Sequence, residues 1–191
     1  MAQDPEHIIS FWLDEVGPKG WYTPWDGLDD DIRDRFLPTW EEARSGQLDT
    51  WRCCARSALA LLLVTDQFPR NMFRGSPQAF ETDALAREVA GQSIVRGYDM
   101  QVASPARQFF YLPLEHSETL PDQARAVRLI ASRMDAPETL VHARAHREVI
   151  RRFGRFPYRN EPLGRRTTQA EARFIEDGGY GAILREVQGV A

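Results

Sequence analysis

The chain has 191 residues, 42% of them hydrophobic and 27% charged, with five tryptophans and a net charge of −4. That size and balance fit one packed domain over residues 1–191 and exclude a disordered or fibrous chain. A net acidic chain is also poorly suited to binding nucleic acid.

The opening Met1-Ala-Gln-Asp-Pro-Glu-His7 has neither a basic start nor an apolar stretch, so no secretory signal is expected. The longest apolar run, Ala58 to Val64, is far short of the roughly 18 residues that a membrane span requires. Cys53 and Cys54 are neighbours in a helical pattern and cannot easily bridge each other, which predicts reduced thiols and a cytoplasmic protein.

Charge is unevenly distributed. Residues 1–49 carry twelve Asp and Glu against Lys19, Arg33, Arg35 and Arg44, whereas His142 to Arg166 holds eight Arg against Glu148 and Glu161. All basic residues but Lys19 are arginine, the side chain suited to fixed bidentate contacts.

Helices are predicted along nearly the whole chain. Asp4-Pro5 opens the first, with Ile9, Trp12, Leu13 and Val16 as its apolar stripe and Gly17 as its stop. The aromatic segment Gly17 to Gly27, with Trp21, Tyr22, Pro24 and Trp25, reads as a lid folded back on the body. A second helix from about Leu28 to Ser45 aligns Ile32, Phe36, Trp40 and Ala43, with a kink expected at Pro38. From about Trp51 to Phe68 the pattern is apolar nearly all round, as in a central helix, and Asp66-Gln67 emerge at its end. Ser76-Pro77 caps a helix to about Arg96 with Phe80, Ala84, Ala86, Ala90 and Ile94 inward, and Ser104-Pro105 starts a shorter one to Pro113.

Further helices run from about Leu120 to Met134 and, behind a capping-box variant at Asp135 to Glu138, to about Phe153. Short ones follow near Gln169 to Asp177 and after Gly181. With no period-two alternation, the fold class is all-α, of about seven to nine helices.

An internal echo draws attention to the polar residues. Gln67-Phe-Pro-Arg-Asn71 and Arg155-Phe-Pro-Tyr-Arg-Asn160 each set Arg-Asn beside a Phe-Pro turn. Arg70, Asn71 and Arg74, with Arg155, Arg159 and Asn160, offer donor forks for a carboxylate or phosphate, or else tie helix ends to the acidic N-terminal third. Glu115-His116-Ser117-Glu118 combines two carboxylates, an imidazole and a hydroxyl, the components of acid–base chemistry. Ser117 or Thr119 serves equally well as a helix N-cap. His142 and His146 have the spacing of two zinc ligands, but Ala143 stands where a zinc peptidase has Glu and no third ligand is spaced to match. Neither a metal site nor a cofactor site is assigned.

Leu61 to Gly75, Ala79 to Ala84, Phe109 to Glu118 and Arg152 to Asn160, taken in order, resemble the bacterial DUF924 family over nearly the whole chain. The resemblance implies antiparallel helical hairpins in a TPR-like α-α superhelix, although the chain shows no 34-residue repeat, and it implies no named activity. By motif match its polar signature falls on Asp66, Gln67, Arg70, Asn71, Arg74, Arg107, Glu115, His116, Glu118, His146, Arg155, Arg159, Asn160 and Arg165. Tyr158 stands where the family often has His.

The expected function is binding of a small anionic metabolite where these helix ends converge. Asp66, Gln67, Arg70, Asn71, Arg74, Arg107, Glu115, Arg155, Arg159 and Asn160 would hold it. His116, Glu118 and His146 would carry any hydrolytic or isomerising proton transfer. The alternative is a TPR-like module that takes a peptide carboxylate, with no membrane role in either case.

Overall fold

The computed structural model describes residues 3–23 and 25–189. Met1 and Ala2 of the N-terminal reading and Pro24 of the aromatic segment lie outside the described residues. The protein is all-α, with no strand and no helix long and apolar enough to cross a membrane among the described residues. The chain divides into two compact units, residues 1–113 and 114–191.

In the first unit, helix α1 (Pro5–Ser10) starts where Asp4 accepts the Glu6 amide at 3.0 Å, and it runs directly into a π-helical turn, Phe11–Val16. The wider turn brings Phe11 and Trp12 inward together and leaves Leu13 only half-buried, which shifts the expected stripe. Helix α2 (Gly17–Tyr22) does fold back. Trp21 donates its indole N–H to the Trp12 carbonyl at 2.7 Å, and the Tyr22 hydroxyl donates to Gln108. Helix α3 (Leu28–Arg44) carries Pro38 within it without ending and buries Leu28, Ile32, Phe36, Trp40 and Ala43.

The expected central helix is composite. A 3₁₀ turn, Asp49–Cys53, leads to α4 (Ala55–Leu62), then a second π turn, Leu63–Gln67, and α5 (Phe68–Met72), so that helical chain continues through Pro69. Ser76 caps a 3₁₀ turn before α6 (Asp83–Val95), in which Val89 points inward and Ala84 is exposed, contrary to the predicted face. The segment after Ser104 forms only a 3₁₀ turn, Ala106–Phe110. Phe11, Phe36 and Phe68 meet with ring centroids 4.8–6.0 Å apart at the centre of this unit.

A single helical turn, α7 (Leu112–Glu115), contains the boundary between the units. In the second unit α8 (Leu120–Arg133) and α9 (Pro137–Phe153) pack as a hairpin joined by residues 134–136. The capping box expected at Asp135 does not form. Ala136 occupies the N-cap without a side-chain bond, and Pro137 alone sets the first turn. Gly154, at φ +70°, ends α9 in the left-handed conformation that a side chain would resist. Helices α10 (Gln169–Glu176) and α11 (Gly179–Gln188) follow, α10 opened by a true capping box between Thr168 and Glu171. Ala145, Val149, Ile150, Phe156, Phe174 and Ile183 form the core of this unit.

Candidate functional site

The π turn at Leu63–Gln67 sets Asp66 and Gln67 at the end of the buried helix, and their local partners follow within one turn. Arg70 Nη2 donates to Asp66 at 3.0 Å and to Asp83 at 2.9 Å, and Gln67 Nε2 donates to Asp66 at 2.5 Å. Arg74 grips Asp29 with two bonds of 2.8 and 3.0 Å, and Asn71 donates to the same carboxylate at 2.8 Å. Burial alone would push the Asp29 carboxyl upward. The hydrogen bonds from Arg74 and Asn71 outweigh it and hold the group below the usual carboxylate range. Arg107 donates to the Val102 carbonyl at 3.0 Å.

In the second unit, Arg155 makes a bidentate pair with Glu171 at 2.6 and 2.8 Å and also reaches the Arg166 carbonyl. Arg155, seconded by Thr168, draws the Glu171 carboxyl down to about 2. Glu118 accepts from the Phe156 amide at 2.9 Å and from Arg165 at 2.8 Å. These bonds overcome the upward push of burial and keep Glu118 below its ordinary value. The two halves of the internal echo diverge. Phe68-Pro69 continues a helix, whereas Phe156-Pro157 leaves one for a 3₁₀ turn, Pro157–Arg159. Asn160 donates to Thr167 at 3.3 Å, and the Arg159 guanidinium lies 4.5 Å over the Phe156 ring.

What the second unit brings together is a carboxylate and two imidazoles. Glu115, 1% exposed, places Oε2 3.5 Å from Nδ1 of His146. That nitrogen also lies 3.1 Å from the His142 carbonyl, one turn earlier in α9. A carbonyl only accepts, so this contact calls for the proton on Nδ1, which in the neutral ring leaves the lone pair on Nε2. His116 stands edge-on to His146 with ring centroids 6.2 Å apart, and Phe156 closes another side at 5.7 Å.

The loop carrying Glu115 and His116 is pinned from α8. Gln123, fully buried, donates through Nε2 to the carbonyls of Glu115 at 2.5 Å and Ser117 at 2.7 Å. Ser117 and Thr119 both donate to Asp122, at 2.6 and 3.0 Å; Thr119 is the N-cap residue of α8, one of the two the sequence suggested, but its side chain makes no capping bond. His142, which shares zinc-ligand spacing with His146 but is assigned no metal, has Nδ1 2.7 Å from the Tyr180 hydroxyl. Burial, and after it His146, push its imidazole below the ordinary value. Among the described residues no group of three or more His, Cys, Asp or Glu is arranged to hold a metal ion.

The sequence model of a family described as a bacterial protein of unknown function, DUF924, matches residues 8–179. The chain belongs to this family. A solved structure, that of a protein of unknown function from Agrobacterium tumefaciens, is 41% identical, with a TM-score of 0.86, over 91% of this chain and 97% of that one. No curated protein matches. The DUF924 match takes in Glu115, His116, His142 and His146 and ends at Gly179, one residue before Tyr180, whose ring lies 4.9 Å from that of His146. Tyr180 and Gln123 are the members of the site that sequence reasoning missed. Neither sits in a motif, and Tyr180 is 38 residues from His142, whose ring nitrogen its hydroxyl meets.

Proposed function

We propose that residues 114–191 hold an acid–base site acting on a small anionic metabolite in the cytoplasm. His146 accepts a proton at Nε2, Glu115 holds its Nδ1–H face, and His116 is the second proton carrier. The observation that carries this reading is the Glu115–His146–His142 carbonyl alignment, because it fixes which nitrogen is basic. Glu118 acts indirectly, by fixing the Phe156 amide and Arg165 around the site.

An excess of cationic charge supports an anionic ligand. This unit has thirteen Arg against eleven Asp and Glu, while residues 1–113 are net acidic. Arg159, stacked on the same Phe156 ring that touches His146, is the cation assigned to the anion, with Asn160 beside it. Ser117, the one hydroxyl between the two carboxylates of the motif, is turned to Asp122. The reaction class is therefore isomerisation by proton transfer, or hydrolysis by a water that His146 deprotonates. Asp66, Gln67, Arg70, Asn71, Arg74 and Arg155, each occupied by a local partner, are read as ties of their own units, and Arg107 as a loop tie.

The peptide-binding alternative takes second place. Stacked TPR-like hairpins call for near-equal helices, and these range from 4 residues in α7 to 17 in α9. The test is a thermal-shift screen of carboxylates and phosphate monoesters against wild type and His146→Gln. A subset of anions should raise the wild-type Tm and leave the variant unmoved, with the two unliganded proteins melting within a few degrees. If no anion shifts the wild type, or the variant responds equally, the reading fails.

A further inference from the structure

Cysteine is usually among the most buried of residues, yet Cys53 and Cys54 are both exposed and have no packing role to account for them. Cys53 ends the Asp49–Cys53 turn, and Cys54, extended at φ −148° and ψ 169°, is the N-cap of α4. Adjacent side chains on extended backbone point apart. The turn cancels that divergence, because the Ser57 hydroxyl lies 3.1 Å from the Cys54 sulfur and 3.7 Å from the Cys53 sulfur. Both thiols therefore face one hydroxyl one turn into the helix.

The segment bearing them is held in place from α6 and the residues after it. Tyr98 donates its hydroxyl to the Cys53 carbonyl at 2.7 Å, and Arg96 donates to the Arg52 carbonyl at 2.8 Å. Two long-range bonds to consecutive carbonyls fix the backbone on which the sulfurs sit, so little ordering remains to be done when a ligand joins them. Ser57, first through its hydroxyl and then through its amide, also holds the Cys54 thiol below its ordinary value, which favours the nucleophilic form.

We propose that Cys53 and Cys54 form a preorganised dithiol site that captures a trivalent, thiophilic metalloid between the two sulfurs. With an organic arsenic(III) oxide, two arsenic–sulfur bonds form and the arsenic–oxygen bonds break. The two thiol protons leave with that oxygen as water, and no electrons are transferred. Soft thiolate donors select such centres.

The probe is phenylarsine oxide added to the reduced full-length chain, with free thiols counted by a chromogenic aryl disulfide. One equivalent should remove both thiols from the count. Excess monothiol should not restore them, whereas dithiothreitol should. Loss of one thiol per arsenical, or release by monothiol, overturns the proposal. Cys53→Ser and Cys54→Ser should each bind the arsenical at least about a hundredfold more weakly, since an intramolecular second thiolate is replaced by one from solution. Wild-type affinity in either variant also overturns it. The wild-type titration stands by itself if a variant misfolds.

Discussion

Glu115 Oε2 approaches His146 Nδ1 to 3.5 Å, while the His142 carbonyl reaches the same nitrogen at 3.1 Å. The shorter contact is the hydrogen bond, and the carboxylate supplies a charge beside it. Together they keep the proton on Nδ1, as a catalytic imidazole needs when Nε2 is to act as base. Glu115→Gln retains the shape and removes the charge. It should raise the population of the Nε2–H tautomer of His146, read from the imidazole nitrogen shifts by NMR. An unchanged tautomer ratio would leave Glu115 without an orienting role.

Gln123 gives the second prediction. Its Nε2 serves two carbonyls in a fully buried position, while its Oε1 has no partner among the described residues. Gln123→Leu removes both donors but also that unpaired oxygen, so the net cost should be about 2 kcal/mol in urea unfolding. Gln123→Glu sets a carboxylate, which cannot donate, against two carbonyl oxygens and should cost more at neutral pH. Equal stabilities for the two variants would show that no clamp is present.

Two arginines of one motif should behave differently. The Arg70 side chain is 21% exposed and pairs with Asp66 and Asp83, whose side chains are 2% and 12% exposed. Arg70→Ala takes the guanidinium from two enclosed carboxylates and should cost about 3–5 kcal/mol. Arg74 is 59% exposed, and Asp29 keeps its bond to Asn71, so Arg74→Ala should cost less than about 1 kcal/mol. Chemical denaturation of both variants decides it, and equal costs would contradict the assignment of Arg70 as a structural tie.

How far the sequence reveals these relationships depends on their range. Helix α3 is legible because its apolar residues recur at helical spacing and Gly46, at φ +81°, lies just past its end. The two π turns are not, since a pattern scored at 3.6 residues per turn has no term for a widened turn, and Leu13 is misplaced for that reason. The Glu115-His116 motif is visible as chemistry. Its partner His146 is visible as a spacing and through the family resemblance, but nothing local says that a residue of α9 will meet the motif. Charge polarity draws attention to the arginines, but composition does not say which carboxylate saturates each one. Arg74 finds Asp29 45 residues away, and Arg165 finds Glu118 at 47.

The last prediction concerns acid. The Arg155 hydrogen bonds, helped by Thr168, lower the Glu171 carboxyl from an ordinary value of 4.5 to about 2 in the folded chain. Its contribution to stability is therefore complete above pH 4.5 and declines as pH falls toward 2, because the unfolded chain takes up the proton first. Glu171→Gln should melt below wild type at neutral pH. The gap should narrow steadily between pH 4.5 and 2 and close at the acid end, where both side chains are neutral. Glu148, drawn to about 2 by Arg151 and Arg152, titrates in the same window and remains in both proteins. Only the difference between the two melting curves, and not the acid lability of either protein, isolates Glu171. A gap that stays constant across the range would mean that Arg155 holds the glutamine as firmly as the carboxylate, and that the pair is a matter of shape rather than charge.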